Sequence, residues 1–383
     1  MGHEIKVKEV TFADDSFYKT QRVHIGSKNF QTPIKALDLK RNVMGIKIPD
    51  TIKGINENYR MFDSKRIANL KTTNREQEIN NEIANGFKKF GSADEVNICF
   101  AEFEENKIPN KDELEYLTNL SYVHSDITPL PLLPRVVRNI TLSNFEQYHN
   151  FVKDAIKTID ESNNKPIMGV IPMPMPSAFL PQLLNTYLDS GITALCLDFQ
   201  GSTVTSSKTK IRELVKLITR KNALEKFFTY SLNLGEGKLP KDKEVVAARD
   251  ILSFGYGFDA MGGKHIKPRL PKEIWARIMS SRNIIENSLR LFNKQNYGYY
   301  RATKKETVDK IYPKDSNVPL TLLEAVKKNM NIDKVINQEQ QGLETVNLRT
   351  VIKEQHKLLK YLDKKEYVEK TDIKTLEKIK QKK

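Results

Sequence analysis

Cysteine is scarce in this chain of 383 residues, which contains only Cys99 and Cys196. Both lie within apolar runs, the usual setting of buried free thiols, and two cysteines cannot form a zinc site with three or four cysteine ligands. The sequence therefore predicts a reduced, cytoplasmic protein without a thiolate metal cluster. We expect neither a bound metal nor a cofactor.

Long apolar runs are absent as well. The longest, at 167–176 and 192–199, are far shorter than the roughly 20 residues that cross a bilayer. The polar start Met1-Gly2-His3-Glu4 has no apolar signal core. The sequence thus predicts neither a membrane span nor secretion.

Familiar short catalytic motifs are also missing. The chain has no Gly-x-x-x-x-Gly-Lys-Ser/Thr loop, no Gly-x-Gly-x-x-Gly opening a helix, no His-Glu-x-x-His and no Gly-x-Ser-x-Gly elbow. None of the six histidines has a second histidine four positions away, so a helix-borne zinc site is unsupported. Function has to be inferred from charge, fold pattern and longer segments.

Positive charge is plentiful and unevenly placed. The net charge is +15, and residues 264–383 hold 28 Lys and Arg against 15 Asp and Glu, which gives 28 − 15 = +13. One interpretation is a surface that faces a polyanion such as nucleic acid. The other is a set of lysine-rich helix faces that keep the protein soluble, and charge alone does not decide between them.

Short apolar runs alternate with amphipathic segments between residues 23 and 263. Continuously apolar runs, typical of parallel strands covered on both faces, occur at 96–101, 166–171, 193–199 and 227–232. Amphipathic stretches at 145–160, 178–189 and 209–219 lie between them. This pattern predicts an α/β fold, and its length accommodates a (β/α)₈ TIM-like barrel as the catalytic domain, residues 1–270. A doubly wound open sheet would produce a similar pattern.

The character of the chain changes after Pro271, where the strand-like runs stop. Apolar spacings predict helices at 273–292, 320–330 and 348–362, and the segment 297–319, with glycine and two prolines, is a candidate linker. We therefore predict a basic helical region at 271–383. Lys264, Lys267 and Arg269 precede it as candidate nucleic-acid contacts.

Catalytic groups of a barrel lie at the carboxyl ends of its strands and in the loops that follow. This rule selects the segments 198–202, 233–237 and 257–265. In the last of these, Asp259 precedes Gly262 and Gly263, whose bare backbone could approach a ligand closely. The alternative is that Asp259 caps a turn that the two glycines make.

Five segments together resemble the tRNA-guanine transglycosylase superfamily, including its DNA 7-deazaguanine branch. They are the hairpin-like stretch 23–34 ending in Thr-Pro, Phe-Asp-Ser at 62–64, Ser-Asp-Ile-Thr-Pro at 125–129, Leu-Asp-Phe-Gln-Gly at 197–201, and the stretch 251–259 that ends in an aspartate. Their order and approximate separations agree with the family over about 240 residues. The chain departs from it at Lys65-Arg66, where the family has two glycines, and in lacking the cysteines of the family's zinc site.

The resemblance implies an enzyme that replaces guanine by a 7-deazaguanine in DNA or tRNA. Asp259 would be the nucleophile that forms a covalent aspartyl-sugar intermediate, and Asp63 the general acid/base. Asp126 would hydrogen-bond the base edge, together with the segment containing Asp198, Gln200 and Gly201. The expected partners are nucleic acid and the guanine or 7-deazaguanine base; neither the acceptor nor the oligomeric state can be predicted.

Two other functions remain open at this stage. The first is a non-catalytic nucleic-acid-binding protein on a degenerate transglycosylase barrel, with Lys65-Arg66 and the missing zinc site as signs of lost catalysis. The second is an unrelated barrel enzyme for a small phosphorylated substrate, which Gly262, Gly263 and Lys264 would grip.

Overall fold

A computed structural model describes most of the chain, in ten segments: residues 5–41, 46–162, 165–221, 225–237, 244–266, 273–274, 276, 289–302, 305–324 and 332–381. The chain opens with three antiparallel strands, β1 (Lys6–Phe12), β2 (Lys19–Ile25) and β3 (Lys28–Thr32), paired in the order β1-β2-β3. The β2–β3 pair is the hairpin expected within residues 23–34.

Parallel strands form the centre of the fold. Six of them pair in the order β4-β13-β11-β10-β9-β8: β4 (Ile34–Lys35), β8 (Thr128–Pro129), β9 (Ile167–Pro172), β10 (Ala194–Asp198), β11 (Phe228–Leu232) and β13 (Ala260–Met261). A second parallel sheet contains β5 (Leu37–Asp38), β6 (Ile55–Phe62) and β7 (Val96–Phe103). The four apolar runs expected to be strands are β7, β9, β10 and β11, and they are buried almost throughout.

The predicted closed (β/α)₈ barrel is wrong. Among the described residues the parallel strands divide between two sheets, and no continuous ladder closes them. The chain changes sheet at Ala36, between β4 and β5, and β7 meets the segment after β8 only through one isolated bridge, Glu102 to Leu132. The physical reason is strand length, because β4, β5, β8 and β13 contain two residues each and form ladders of only two residue pairs. The fold is a mixed α/β arrangement of parallel and antiparallel sheets.

Helices follow most of the parallel strands. They are α1 (Ser64–Thr72), α2 (Glu76–Phe90), α3 (Lys111–His124), α4 (Pro134–Val137), α5 (Phe145–Ser162), α6 (Leu180–Asp189) and α7 (Lys208–Arg220). The amphipathic stretches at 145–160, 178–189 and 209–219 are confirmed as helical: α7, for example, buries Ile211, Leu214 and Ile218 on one face. A capping box begins α3, because Asn110 accepts from the Glu113 N–H and Glu113 accepts from the Asn110 N–H.

Strands continue beyond residue 271, contrary to the sequence-based expectation. β14 (Leu289–Asn293) and β15 (Gly298–Ala302) pair with β12 (Val245–Ala247) in the order β12-β15-β14. The predicted linker at 297–319 is therefore wrong, since it contains β15 and helix α8 (Lys305–Ile311). The helix predicted at 273–292 lies mostly outside the described residues, and its last residues belong to β14.

The last part of the chain contains α9 (Leu320–Glu324), α10 (Ile332–Gln355), α11 (Leu359–Asp363) and α12 (Lys370–Gln381). Thirteen residues of α10 are buried, and the helix packs against β14, β4 and β2. Arg349 of α10 also donates to the carbonyls of Gln31 and Thr51. The boundary at 270/271 stays a prediction, but α10 shares its core with residues that precede it.

Membrane insertion finds no support in these ranges. None of the helices described above combines the length and the apolar character needed to cross a bilayer.

Candidate functional site

A buried carboxylate, Glu57, lies at the centre of the fold. It belongs to β6, is fully buried, and accepts hydrogen bonds from the Gly263 N–H (2.9 Å) and the Tyr230 hydroxyl. Its Oε1 lies 2.5 Å from His265 Nε2. Burial alone would raise the pKa of Glu57. The positive charges of His265 and Lys35 and the hydrogen bonds from His265 and Tyr230 outweigh the effect of burial, and they hold the pKa of Glu57 at about 2.

His265 is held on both edges of its ring and on one face. Glu57 contacts Nε2, Asp38 Oδ2 lies 3.7 Å from Nδ1, and the Tyr59 ring stacks on the imidazole at 4.2 Å. The backbone N–H of His265 donates to Asn233 Oδ1 at 2.8 Å. These contacts fix the position and orientation of the imidazole.

Asp38, Glu57 and His265 form the cluster whose ligand atoms lie close enough together to hold a metal ion. The two carboxylates, however, face opposite ring nitrogens of His265. A single ion can bind only one of these nitrogens, so one carboxylate would have to leave the nitrogen that it faces. The arrangement instead holds the imidazole between two carboxylates.

Asp198 and Gln200, predicted to bind a base, lie beside this cluster at the carboxyl end of β10. Asp198 is buried and accepts from Asn233 Nδ2 (2.9 Å) and from the Gln200 N–H (3.3 Å), and burial raises the pKa of Asp198. Gln200 accepts from Arg138 Nε at 2.7 Å, and Gly201, which follows it, is exposed. Because Asn233 bonds both Asp198 and the His265 backbone, it joins these residues to the cluster around Glu57.

A polar cleft of about 480 Å³ opens beside this cluster, between the segments that follow β11 and β13 and helix α10. Charged side chains of both signs line it, among them Lys35, Glu236, Asp250, Arg290 and Lys334. Clefts next to the carboxyl ends of parallel strands are the common position of ligand sites in α/β folds.

Three carboxylates, Glu236, Asp250 and Asp333, line the cleft, and the first two lie in different environments. Asp250 is buried and accepts from the Tyr299 hydroxyl (2.6 Å), Gln341 Nε2 (3.1 Å) and the Ile251 N–H (3.0 Å). Burial, together with the negative charge of Glu236, raises the pKa of Asp250 to about 6. Glu236 is partly exposed and accepts from Arg290 at 2.9 Å. Asp250 can therefore carry a proton near neutral pH while a second carboxylate stands in the same cleft.

Gly262 and Gly263 separate the cleft from Glu57. A Cβ atom at Gly262 would lie 2.4 Å from Glu57 Oε2, and one at Gly263 would lie 2.7 Å from Oε1. The sequence suggested that these glycines let the backbone approach a ligand. In the structure the group that they approach is the buried carboxylate of Glu57.

Asp259, the predicted nucleophile, lies just before β13 and is fully buried. Its Oδ2 accepts from the Thr229 N–H and hydroxyl, both at 2.8 Å, and lies 3.2 Å from Lys19 Nζ. Burial raises the pKa of Asp259, although Lys19 and Thr229 act against it. These contacts join Asp259 to β11 and β2, and they are not those of the turn cap considered as the alternative from the sequence.

The structure does not bring Asp63, Asp126 and Asp259 together. Asp63 follows the carboxyl end of β6 and caps α1 by accepting from the Arg66 N–H at 2.7 Å. Asp126 precedes β8 and accepts from Lys28 Nζ and the Asn97 N–H, each at 2.7 Å. Asp126 and Asp259 thus stand at the amino ends of their strands, whereas Asp63 stands at a carboxyl end.

Of the three cations predicted to contact nucleic acid, Lys264 is exposed and lines the cleft. Lys267 and Arg269 lie outside the described residues. Their predicted role stays a prediction.

Sequence reasoning missed Glu57, Asp250 and Gln338. One local signal was available for Glu57, because it stands in a polar run, Asn56-Glu57-Asn58, inside a strand that is buried along nearly its whole length. Another was the run Gln338-Glu339-Gln340-Gln341, whose four polar residues are all buried in α10. Buried polar runs of this kind indicate either a hydrogen-bond network or a ligand site.

Comparison with known proteins adds no relative to these observations: no protein-family model and no curated protein matches the chain.

Proposed function

We propose that the protein is an enzyme that breaks or exchanges a glycosidic bond in the cleft, with Glu236 and Asp250 as its pair of catalytic carboxylates. One observation carries the proposal: Asp250, with a pKa raised to about 6, shares the cleft with a second carboxylate. A carboxylate that carries a proton near neutral pH and stands beside a second carboxylate is the usual acid of such reactions.

Each carboxylate has a distinct role in the proposed reaction. Protonated Asp250 donates its proton to the leaving atom as the glycosidic bond breaks. Glu236, held by Arg290, attacks the anomeric carbon and forms a covalent ester with the sugar. The acceptor, water or an incoming base, then loses its proton to Asp250 and attacks the same carbon, which releases Glu236.

Exchange of guanine for a 7-deazaguanine in DNA or tRNA is the specific form of this proposal that the sequence resemblance favours. It differs from the sequence-based prediction in its catalytic residues, because Asp63 follows the carboxyl end of β6 whereas Asp259 precedes the amino end of β13. Asp198 and Gln200 retain their proposed role in contacting the base, since they lie at the carboxyl end of β10 beside the His265 cluster.

Labelled guanine incorporation and base release test the proposal, with bulk tRNA and with single- and double-stranded DNA as acceptors. We expect Asp250→Asn and Glu236→Gln each to lower the rate by about 10²-fold or more. Asp63→Asn serves as the control and should keep the wild-type rate.

Two outcomes would contradict the proposal. If the wild-type protein neither releases nor exchanges a base with any of these acceptors, it has no such activity. Retention on nucleic acid with no turnover would then favour the non-catalytic binding protein. If the wild-type protein is active but Asp250→Asn and Glu236→Gln are equally active, the carboxylates have been assigned incorrectly.

A further inference from the structure

The side-chain amide of Gln338 has a hydrogen-bonded oxygen and a nitrogen without a hydrogen-bond partner among the described residues. Its Oε1 accepts from the Asp38 N–H at 2.6 Å, which fixes which end of the amide is oxygen and which is nitrogen. Its Nε2 is buried and has no hydrogen-bond partner among the described residues. A buried amide N–H without an acceptor is energetically unfavourable, so this position favours a ligand that supplies an oxygen.

Gln338 lines the same cleft as Glu236 and Asp250. Four cations, Lys35, Lys264, Arg290 and Lys334, also line the cleft, together with the carboxylates of Glu236, Asp250 and Asp333. Lys35 is buried, and its charge lowers the pKa of both Glu57 and Asp250. An anionic oxygen that enters the cleft at Gln338 would therefore meet a donor that lacks an acceptor, and the charge of Lys35 would offset the carboxylates of the cleft.

We propose that Gln338, with the charges of Lys35 and Lys334 in the same cleft, forms a subsite for an oxyanion, so that the substrate of the cleft carries a phosphate or carboxylate group. This inference rests on the proposed function in taking the cleft as the substrate site. It adds the chemical class of the group that anchors the substrate. Asp250 and Glu236 are left to act on the part of the substrate beyond that group.

Calorimetric titration of the full chain with inorganic phosphate, and separately with acetate, tests the subsite and distinguishes the two oxyanions. Gln338→Glu keeps an oxygen for the Asp38 N–H but replaces the Nε2 donor with a negatively charged acceptor. We expect it to weaken binding of the preferred anion at least tenfold.

Gln340→Glu is the matched control. Gln340 lies on the same helix, is equally buried and also has an unpartnered Nε2, but it does not line the cleft. We expect this variant to bind the anion within twofold of the wild-type affinity. Equal weakening by the two variants would show a general effect of charge in α10 and would overturn the subsite.

A second variant covers the case in which Gln338→Glu fails to fold. Lys334 is exposed at the same cleft, and Lys334→Gln removes one charge without disturbing the core. We expect it to weaken anion binding about threefold, as the loss of one exposed charge does. If wild-type protein binds neither anion at millimolar concentration, or if Lys334→Gln binds as tightly as wild type, the subsite is overturned.

The two proposals can fail separately. Asp250→Asn should lower turnover by about 10²-fold or more without weakening anion binding. Anion binding without turnover in the wild-type protein would contradict the proposed function alone, whereas turnover without anion binding would contradict the subsite alone.

Discussion

Glu57 Oε1 and His265 Nε2 lie 2.5 Å apart, although 208 positions separate the two residues in the sequence. The contact joins β6 to the segment that follows β13, and these strands belong to different parallel sheets. Tyr230 of β11 and Lys35 of β4 add a hydrogen bond and a positive charge to the same carboxylate. The charge of Glu57 thus stabilises the meeting point of the two sheets.

Glu57→Gln should destabilise the protein by about 3–5 kcal/mol at pH 7, because it leaves buried cationic groups without their counter-charge. The pKa of Glu57 is about 2, below its ordinary value of 4.5, so this stabilisation is complete above pH 4.5 and is lost as the pH falls towards 2. Denaturant unfolding from pH 3 to pH 7 measures it. If the difference in the free energy of unfolding between wild type and variant does not decrease as the pH falls, this account is contradicted.

Gly262→Ala should cost about 1–3 kcal/mol or more, the usual range for overpacking a filled core. Its Cβ would lie 2.4 Å from Glu57 Oε2 and 2.6 Å from the Tyr230 ring. The control is Gly86→Ala in α2, where the nearest atom, Asn58 Nδ2, would be 3.9 Å away. That change should stabilise the protein by about 0.5–1 kcal/mol, since alanine is the better helix former. Equal melting temperatures of the two variants would show that the space at Gly262 can adjust.

Asp259→Asn should destabilise the protein by about 3–5 kcal/mol, because Lys19, itself buried, would lose its partner at 3.2 Å. The remaining folded fraction should keep its turnover if Glu236 and Asp250 are the catalytic pair. Asp63→Asn is a suitable comparison, since asparagine caps a helix about as well as aspartate and should change stability by only a few tenths of a kcal/mol. Loss of turnover in folded Asp259→Asn protein would restore Asp259 as the nucleophile.

Asp250→Asn should change how stability depends on pH. Because the pKa of Asp250 is raised from 3.8 to about 6, the native protein binds a proton more readily there than the unfolded chain does. Asp250 therefore lowers the wild-type free energy of unfolding by about 3 kcal/mol as the pH rises from 4 to above 6. The variant should lack that decline. Parallel stability curves for the two proteins across this window would contradict a raised pKa.

The longer parallel strands could be predicted from the sequence because continuous apolar runs such as 96–101 and 193–199 reflect burial on both faces. Whether the parallel strands close into one sheet could not be predicted, since β4, β5, β8 and β13 are two residues long and leave no periodic pattern in the sequence. β15 was mistaken for part of a linker because Gly298 and the prolines that follow it outweighed the strand preference of Tyr299 and Tyr300.

The candidate site was only partly predictable for a related reason. Asp198 and Gln200 follow a strong strand, so the rule that sites lie at carboxyl ends selected them. Glu57 and His265 meet through the fold alone. The raised pKa of Asp250 arises from burial by elements that include Tyr299 and Gln341, and no local pattern in the sequence encodes such a burial.

The late position of α10 in the sequence affects how the chain folds during its synthesis on the ribosome. Gln338 accepts from the backbone of Asp38, 300 residues earlier, and Gly342 packs so closely on Ile52 that an added Cβ would lie 2.8 Å from it. The early strands β4 to β6 are therefore synthesised long before the helix that covers them. Until α10 emerges, the nascent chain presents the apolar surface around Ile52 to water, which makes that surface a natural target for chaperones during synthesis.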